Sequence, residues 1–261
     1  MKLPELRIQY VSDLHLEFSE NEKFLNKSPL KPEGEVLILA GDIIPLVRLE
    51  DFDYFFDQLS NDFEMVFWIP GNHEYYHYDV GLKCGSFKEK IRNNIWFLNN
   101  QEVVLGKYRL IFSTLWANIS VQNSFIIQQD LNDFQMIEFN DKPFTPELFN
   151  TLFEENHKFI NNRLQQKTEL TTVVVTHHVP TLFNYPKKYR NSQINEAFAV
   201  ELYNLIENEQ PSYWIYGHHH SNTPDFKIGN TWLLTNQLGY VADHEYEKFQ
   251  LDKIIDSEEN Y

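Results

Sequence analysis

The sequence predicts an α/β protein, one domain over residues 1–261, and three observations carry that expectation. Short runs rich in β-branched and aromatic residues recur along the chain, each about as long as a strand. Longer amphipathic segments lie between several of them. Composition does not break anywhere, and no internal repeat, low-complexity tract or Gly/Ser linker divides the chain.

The strand-like runs, in chain order, are "LRIQYV", "EVLILA", "EMVFWI", "YRLIF", "TTVVVT", "YWIY" and "TWLLT". The first helical segment, "EDFDYFFDQLS", places Phe52, Phe55, Phe56 and Leu59 on one face. The second, "TPELFNTLFEENHKFINNRLQQ", starts with Thr145 as N-cap, Pro146 in the first turn and Glu147 after it. The third, "NEAFAVELYNLIENEQ", is expected to be capped by Asn195 and stopped by Pro211. No glycine falls between Gly106 and Gly217, so the middle of the chain lacks the strongest turn signal. Residues from Trp116 to Pro143 read as a polar, irregular surface excursion.

Composition excludes several functions. Hydrophobic residues make up 42% of the 261 and aromatics 15%, enough for a sizeable core. Against 38 acidic residues stand 22 Lys and Arg, a net charge of −16. Such a surface repels polyanions, and no dense basic block offsets it, so long nucleic acid is not an expected partner. Bound cations would offset part of the acidity. Cys84 is the single cysteine, which rules out an intrachain disulfide and a thiolate metal cluster. "MKLPELRIQYVSDLH" lacks a leader pattern and no apolar run is long enough to span a bilayer, so a cytoplasmic, membrane-free protein is expected.

Ligand-type residues fall at the ends of five strand-like runs. Asp13-Leu14-His15 follows the first, Gly41-Asp42 the second and Gly71-Asn72-His73-Glu74 the third; His177-His178 follows "TTVVVT", and Gly217-His218-His219-His220 follows "YWIY". In α/β proteins, sites gather where the backbone leaves the carboxyl ends of strands. In an extended segment residues i and i+2 share a side, so Asp13 pairs with His15, His218 pairs with His220, and His219 points away. Three of only nine glycines immediately precede candidate ligands, where a sharp turn or a close backbone approach is needed. Each pair alone is a weak signal. Five in order, each after a strand, argue for one site.

This ordered set resembles the calcineurin-like metallophosphoesterase superfamily, from about Ile8 to about Tyr240. The connecting phrases "SDLHLE", "TLWANI", "LNDFQMI", "VVVTHHVPT" and "NQLGY" look like one bacterial branch of phosphohydrolases. The resemblance implies a four-layer αββα sandwich of two mixed sheets flanked by helices. It implies that Asp13, His15 and His220 bind one metal ion and that Asn72, His177 and His218 bind a second, with the Asp42 carboxylate bridging both. His73 is implied as the residue that assists the transition state, oriented by Glu74, and His178 as a supporting neighbour of the ligand His177.

The chemistry suits these residue types. Two divalent ions about 3.5–4 Å apart neutralise phosphate charge and acidify a bridging water, whose hydroxide attacks phosphorus in line with the leaving oxygen. A bridge needs several lone pairs near both ions, which a carboxylate has and a neutral imidazole lacks. The mixed oxygen and nitrogen donors favour Mn, Fe or Zn over Mg or Ca. The expected activity is hydrolysis of a phosphomonoester or phosphodiester in a small, nucleotide-like substrate. The alternative is a non-catalytic metal-binding scaffold or interaction protein on the same fold. A lipid-linked pyrophosphate is disfavoured for want of a basic amphipathic patch. Tyr75, Tyr76, Tyr78, Trp116 and Asn118 read as loop packing, with stacking on a substrate ring as the other reading. Arg48 and Arg190 read as solvated positions rather than phosphate clamps, and His77, His157 and His244 as ordinary packing or surface residues.

Overall fold

The computed structural model describes residues 6–255, so part of the segment read for a leader, Met1–Glu5, lies outside the described residues. Two β-sheets pack face to face. The first has the order β1 (Ile8–Val11), β2 (Val36–Ala40), β3 (Met65–Ile69), β5 (Ile95–Asn99) and β4 (Phe87–Arg92). The second has the order β10 (Phe226–Ile228), β11 (Thr231–Leu234), β9 (Tyr213–Ile215), β8 (Thr171–Val175), β7 (Tyr108–Phe112) and β6 (Gln101–Leu105). Each has a parallel centre; the first ends in an antiparallel hairpin at one edge and the second at both, so both sheets are mixed.

Residue alternation builds the layers. Ile8, Tyr10, Ile38, Ala40, Phe67 and Ile69 face Leu110, Phe112, Val173, Val175, Tyr213 and Ile215 across the interior between the sheets. The intervening residues Val11, Leu37, Leu39, Val66 and Trp68 turn outward beneath α1 (Ser19–Lys27) and α2 (Asp53–Asp62). Phe55, Phe56 and Leu59 of α2 are buried there, together with Phe52 just before it, as the sequence predicts. On the far side Ile111, Val174 and Trp214 pack under α3 (Val121–Asp130), α4 (Asp133–Met136), α5 (Pro146–Leu164) and α6 (Tyr203–Glu209). The architecture is therefore a four-layer αββα sandwich. Strands buried on both faces explain why the sequence shows near-continuous apolar runs. Each large side chain so buried contributes about 1.5–3 kcal/mol.

Thr145 caps α5, its side chain accepting from Leu148 N, with Pro146 in the first turn. Two expectations are corrected. The stretch from Trp116 to Pro143 is no surface excursion: it holds α3 and α4, and Trp116, Ile119, Ile127, Phe134 and Ile137 are buried in the second-sheet core. The segment from Asn195 to Gln210 is not one helix capped by Asn195. Only Tyr203–Glu209 is α-helical, because Val200 N and Leu202 N donate to Val179 O and Pro180 O and draw the preceding chain into an extended pairing. Glu201 reinforces it by accepting from Thr181 Oγ1 and Leu182 N. Among the described residues, no helix is long and apolar enough to cross a membrane.

Candidate metal centre

All five ligand-bearing turns lie at the carboxyl ends of parallel strands, three from the first sheet and two from the second. Backbone hydrogen bonds stitch them together: Asp13 N to Gly41 O, His15 N to Asp42 O, and Gly217 N to His177 O. The segment after β11 crosses to the first sheet, with Leu238 N and Gly239 N donating to Ser12 O and Asp13 O. Asp13, His15, Asp42, His218 and His220 all have positive φ, between 46° and 79°. Such left-handed backbone costs about 1–3 kcal/mol per non-glycine residue and persists only where the surroundings impose it. Asp13 with His15, and His218 with His220, do reach one site, but through these turns rather than through the strand pleat.

The glycines are required by close approach. A Cβ on Gly71 would collide with Asp42 Oδ1, and one on Gly41 with the His177 ring. At Gly217 it would meet Asp13 Oδ2 at 2.6 Å.

Two donor groups share one oxygen. Asp13, His15, Asp42 and His220 bring one ligand atom each within 4.8 Å of one another, and so do Asp42, His177 and His218. Asp42 Oδ2 lies 3.7 Å from His15 Nε2 and 3.3 Å from His177 Nε2, so it faces both groups. Asn72 Oδ1 joins the second at 3.3 Å from His177 Nε2, and His218 Nδ1 lies 3.1 Å from the same nitrogen. In the first group His220 Nε2 is 3.3 Å from Asp13 Oδ1 and 2.9 Å from His15 Nε2.

Protonation shows what these groups can hold. His177 Nδ1 donates to Ala40 O at 2.9 Å, and His15 Nδ1 and His220 Nδ1 face Glu17 and Glu245 carboxylate oxygens at 3.2 and 2.8 Å. Those acceptors place the ring protons on Nδ1 and leave the Nε2 lone pairs aimed inward. Asn72 Nδ2 donates to Asp133 Oδ1 at 2.8 Å, which turns its amide oxygen inward as well. Lone pairs thus converge on lone pairs at about 3 Å, an arrangement that needs a cation or protons between them. The residues fit a pair of metal ions.

Charge follows the same geometry. Burial opposes ionisation of Asp42, yet His177, His73 and His15 hold its carboxyl well below the usual range. Burial would lower His177 and His220, but Asp42 raises the first to about 9, and Asp13 with Glu245 raises the second to about 10. A metal ion and those protons compete for the same nitrogens.

His73 lines the cleft beside this centre, its ring stacked on Tyr76 with centroids 4.0 Å apart. The expectation that Glu74 orients it is corrected. Both Glu74 oxygens are taken by Asp42 N, Ile43 N, Gly71 N and Trp68 Nε1 at 2.6–3.0 Å. Burial and the Asp42 charge push this carboxyl up to about 7, but four N–H donors with no acceptor in reach favour the ionised form. Glu74 ties the second-strand turn to the third. The carboxylate that touches His73 is Glu17, whose Oε1 lies 2.8 Å from Nδ1.

His178 is fully buried between Trp116 and His218. His219 turns away to Gln237, whose Nε2 and Oε1 lie 3.0 and 3.3 Å from its Nδ1. Tyr75 is buried, its hydroxyl bonded to Lys83 O, and Trp116 packs on Phe149; neither reaches the cleft. Tyr76 does. Arg48 pairs with Asp51 and Arg190 bonds Tyr185 O. Glu17, Asp133 and Glu245 are not among the residues the sequence singled out. Glu17 follows Asp13 and His15 at the same two-residue spacing, a signal that could have found it; Asp133 sits in "LNDFQMI", and Glu245 has no local signal.

The cleft holds about 350 Å³ and is lined by Tyr76, Tyr185, Tyr189, Phe198 and Tyr240 around side chains of the two donor groups. An uncharacterized protein of Acanthamoeba polyphaga mimivirus is 33% identical over 275 residues, covering 95% of this chain and 96% of its own. The solved structure of a phosphopantetheinyl hydrolase from Mycobacterium tuberculosis has the same fold, with a TM-score of 0.70 at 16% identity, over 98% of this chain and 97% of that one. The calcineurin-like phosphoesterase family model matches residues 6–222. The chain therefore belongs to the calcineurin-like phosphoesterases.

Proposed function

We propose that the chain works as one domain, a dinuclear metal-dependent hydrolase of a phosphomonoester or phosphodiester in a small, nucleotide-like substrate. The observation that carries this reading is the single Asp42 oxygen facing imidazole nitrogens from both donor groups. Asp13, His15 and His220 would hold one ion and Asn72, His177 and His218 the other, with Asp42 between them. Bound ions of the Mn, Fe or Zn type would neutralise phosphate charge and acidify water.

The chain's own groups supply the rest. Neutral imidazoles and an amide oxygen leave only Asp13 and Asp42 as anionic ligands, so the loaded centre attracts an anion despite the acidic surface. His73, at the cleft wall, would donate to the leaving oxygen. A cleft of about 350 Å³ suits a small molecule, and its aromatic walls suit a ring such as a base. The same composition makes long nucleic acid a poor partner. We place the activity in the cytoplasm.

The test uses 4-nitrophenyl phosphate and bis(4-nitrophenyl) phosphate with chelated protein, before and after Mn²⁺ is restored. Metal-dependent release from either ester is expected. His73→Ala should lower turnover of a simple alkyl ester, whose leaving oxygen needs a proton, by about 10²–10⁴ while leaving metal content near wild type. No release from either would favour the scaffold alternative.

A further inference from the structure

Glu17 is a largely buried carboxylate at the site that the reading above leaves without a task. Its Oε1 lies 2.8 Å from His73 Nδ1 and 3.2 Å from His15 Nδ1. The two imidazoles meet edge to face, with centroids 4.3 Å apart. The Glu17 side chain is only 11% exposed, and its Oε2 is buried without a partner. Arg48 Nη1 anchors the Glu17 carbonyl at 3.2 Å, and Tyr76 stacks on the His73 ring.

We infer that Glu17 is a positioning residue that fixes His73 as proton donor to the leaving group and links it to the metal ligand His15; the inference rests on the phosphoester reading. A carboxylate oxygen only accepts, so both rings carry their protons on Nδ1 toward Glu17. His15 thereby keeps an Nε2 lone pair for a metal ion. His73 presents Nε2 on the side of the ring away from Glu17, free to pass a proton to the leaving oxygen. As the bond from phosphorus to the leaving oxygen breaks, its electron pair goes to that oxygen, which takes the Nε2 proton. Water supplies the oxygen that phosphorus gains and releases one proton to solvent, from which His73 Nε2 is reprotonated before the next turnover. His73 remains protonated at Nδ1 and still donates to Glu17, so the ring need not reorient between turnovers.

The experiment compares Glu17→Gln with wild type on two esters, a 4-nitrophenyl ester and a simple alkyl ester of whichever type, mono- or diester, the wild type cleaves. Gln keeps an acceptor oxygen and removes the charge. At matched metal content the variant should slow the alkyl ester by about tenfold or more, because its leaving oxygen needs the proton. The aryl ester, which leaves without one, should slow by less than about threefold. In a His73→Ala background, Glu17→Gln should cost nothing further. Equal slowing of both esters, full additivity with His73→Ala, or a metal deficit that added Mn²⁺ does not repair would overturn the inference. A wild type that cleaves neither ester would instead remove the phosphoester reading beneath it.

Discussion

Asp42 and His177 come from different sheets, yet Asp42 Oδ2 lies 3.3 Å from His177 Nε2 while Asp42 Oδ1 accepts from His73 N at 2.9 Å. The carboxylate is split: one oxygen is fixed by backbone, the other is presented to both donor groups. Asp42→Asn must satisfy the same backbone N–H, so its amide oxygen takes the Oδ1 position and its NH₂ faces the imidazole lone pairs. An NH₂ group cannot bridge cations. The variant should therefore lose metal and activity together, as read by elemental analysis and ester hydrolysis. A fully loaded, active Asp42→Asn protein would contradict the bridging role.

Asp133 acts on the second donor group from one step further out. It accepts from Asn72 Nδ2 and from Tyr76 OH, at 2.8 and 2.9 Å, and is itself buried. Asp133→Ala leaves the Asn72 amide free to turn its nitrogen inward. Losing such a supporting partner typically weakens metal affinity about 10–100-fold. Metal titration should show one weakened site and one near wild type, since Asp13, His15 and His220 do not touch Asp133. Two sites weakened equally would argue against the assignment.

Gly71→Ala tests the packing behind the site. The added Cβ would collide with Asp42 Oδ1 and sit 2.7 Å from His177 Nε2 and 2.8 Å from Asp42 N, atoms that cannot swing away. Overpacking of this kind costs about 1–3 kcal/mol, less than the stability of a typical domain. The variant should fold, unfold at lower urea, and bind metal poorly. Unchanged metal affinity would show that the turn relaxes more easily than the geometry indicates.

The sequence revealed what strand ends encode and missed what tertiary contacts decide. β1, β2 and β3 were legible because their faces are both buried and their residues uniformly apolar. β4 was not: Lys88, Lys90 and Arg92 give an edge strand a charged look, which protects it from pairing with other chains. β10, three residues long at an edge of the second sheet, has too little pattern to read. The turn toward Val179 that breaks the Asn195–Gln210 segment depends on hydrogen bonds across the fold, and helix propensity carries no trace of it. The site divides in the same way. Asp13, Asp42 and His177 follow strands directly, whereas Glu245 reaches His220 from 25 residues downstream. The resemblance implied that Glu74 orients His73, but its carboxylate serves the backbone of its own and the neighbouring turn.

His219 supplies a prediction about stability rather than catalysis. It is buried and turned from the donor groups, with Gln237 Nε2 and Oε1 at 3.0 and 3.3 Å from its Nδ1. Burial pushes its pKa down to about 4, only partly opposed by the Gln237 contact. Protonating the ring would place a charge in that buried site, which the Gln237 oxygen, 3.3 Å from Nδ1, compensates only in part. The folded state therefore binds this proton less readily than the unfolded chain. The sign follows: stability is full above about pH 6.5, falls as pH drops from there to about 4, and changes no further below. The shift is worth on the order of 3 kcal/mol for this one group. Urea unfolding of chelated protein between pH 4 and 7.5 should show the decline. His219→Gln, which has no proton to gain, should flatten it by up to about 1.4 kcal/mol per pH unit, leaving the slope due to His178 and His218, which burial also holds neutral. An identical slope in wild type and His219→Gln would mean that this ring is already protonated in the fold, or remains neutral in both states.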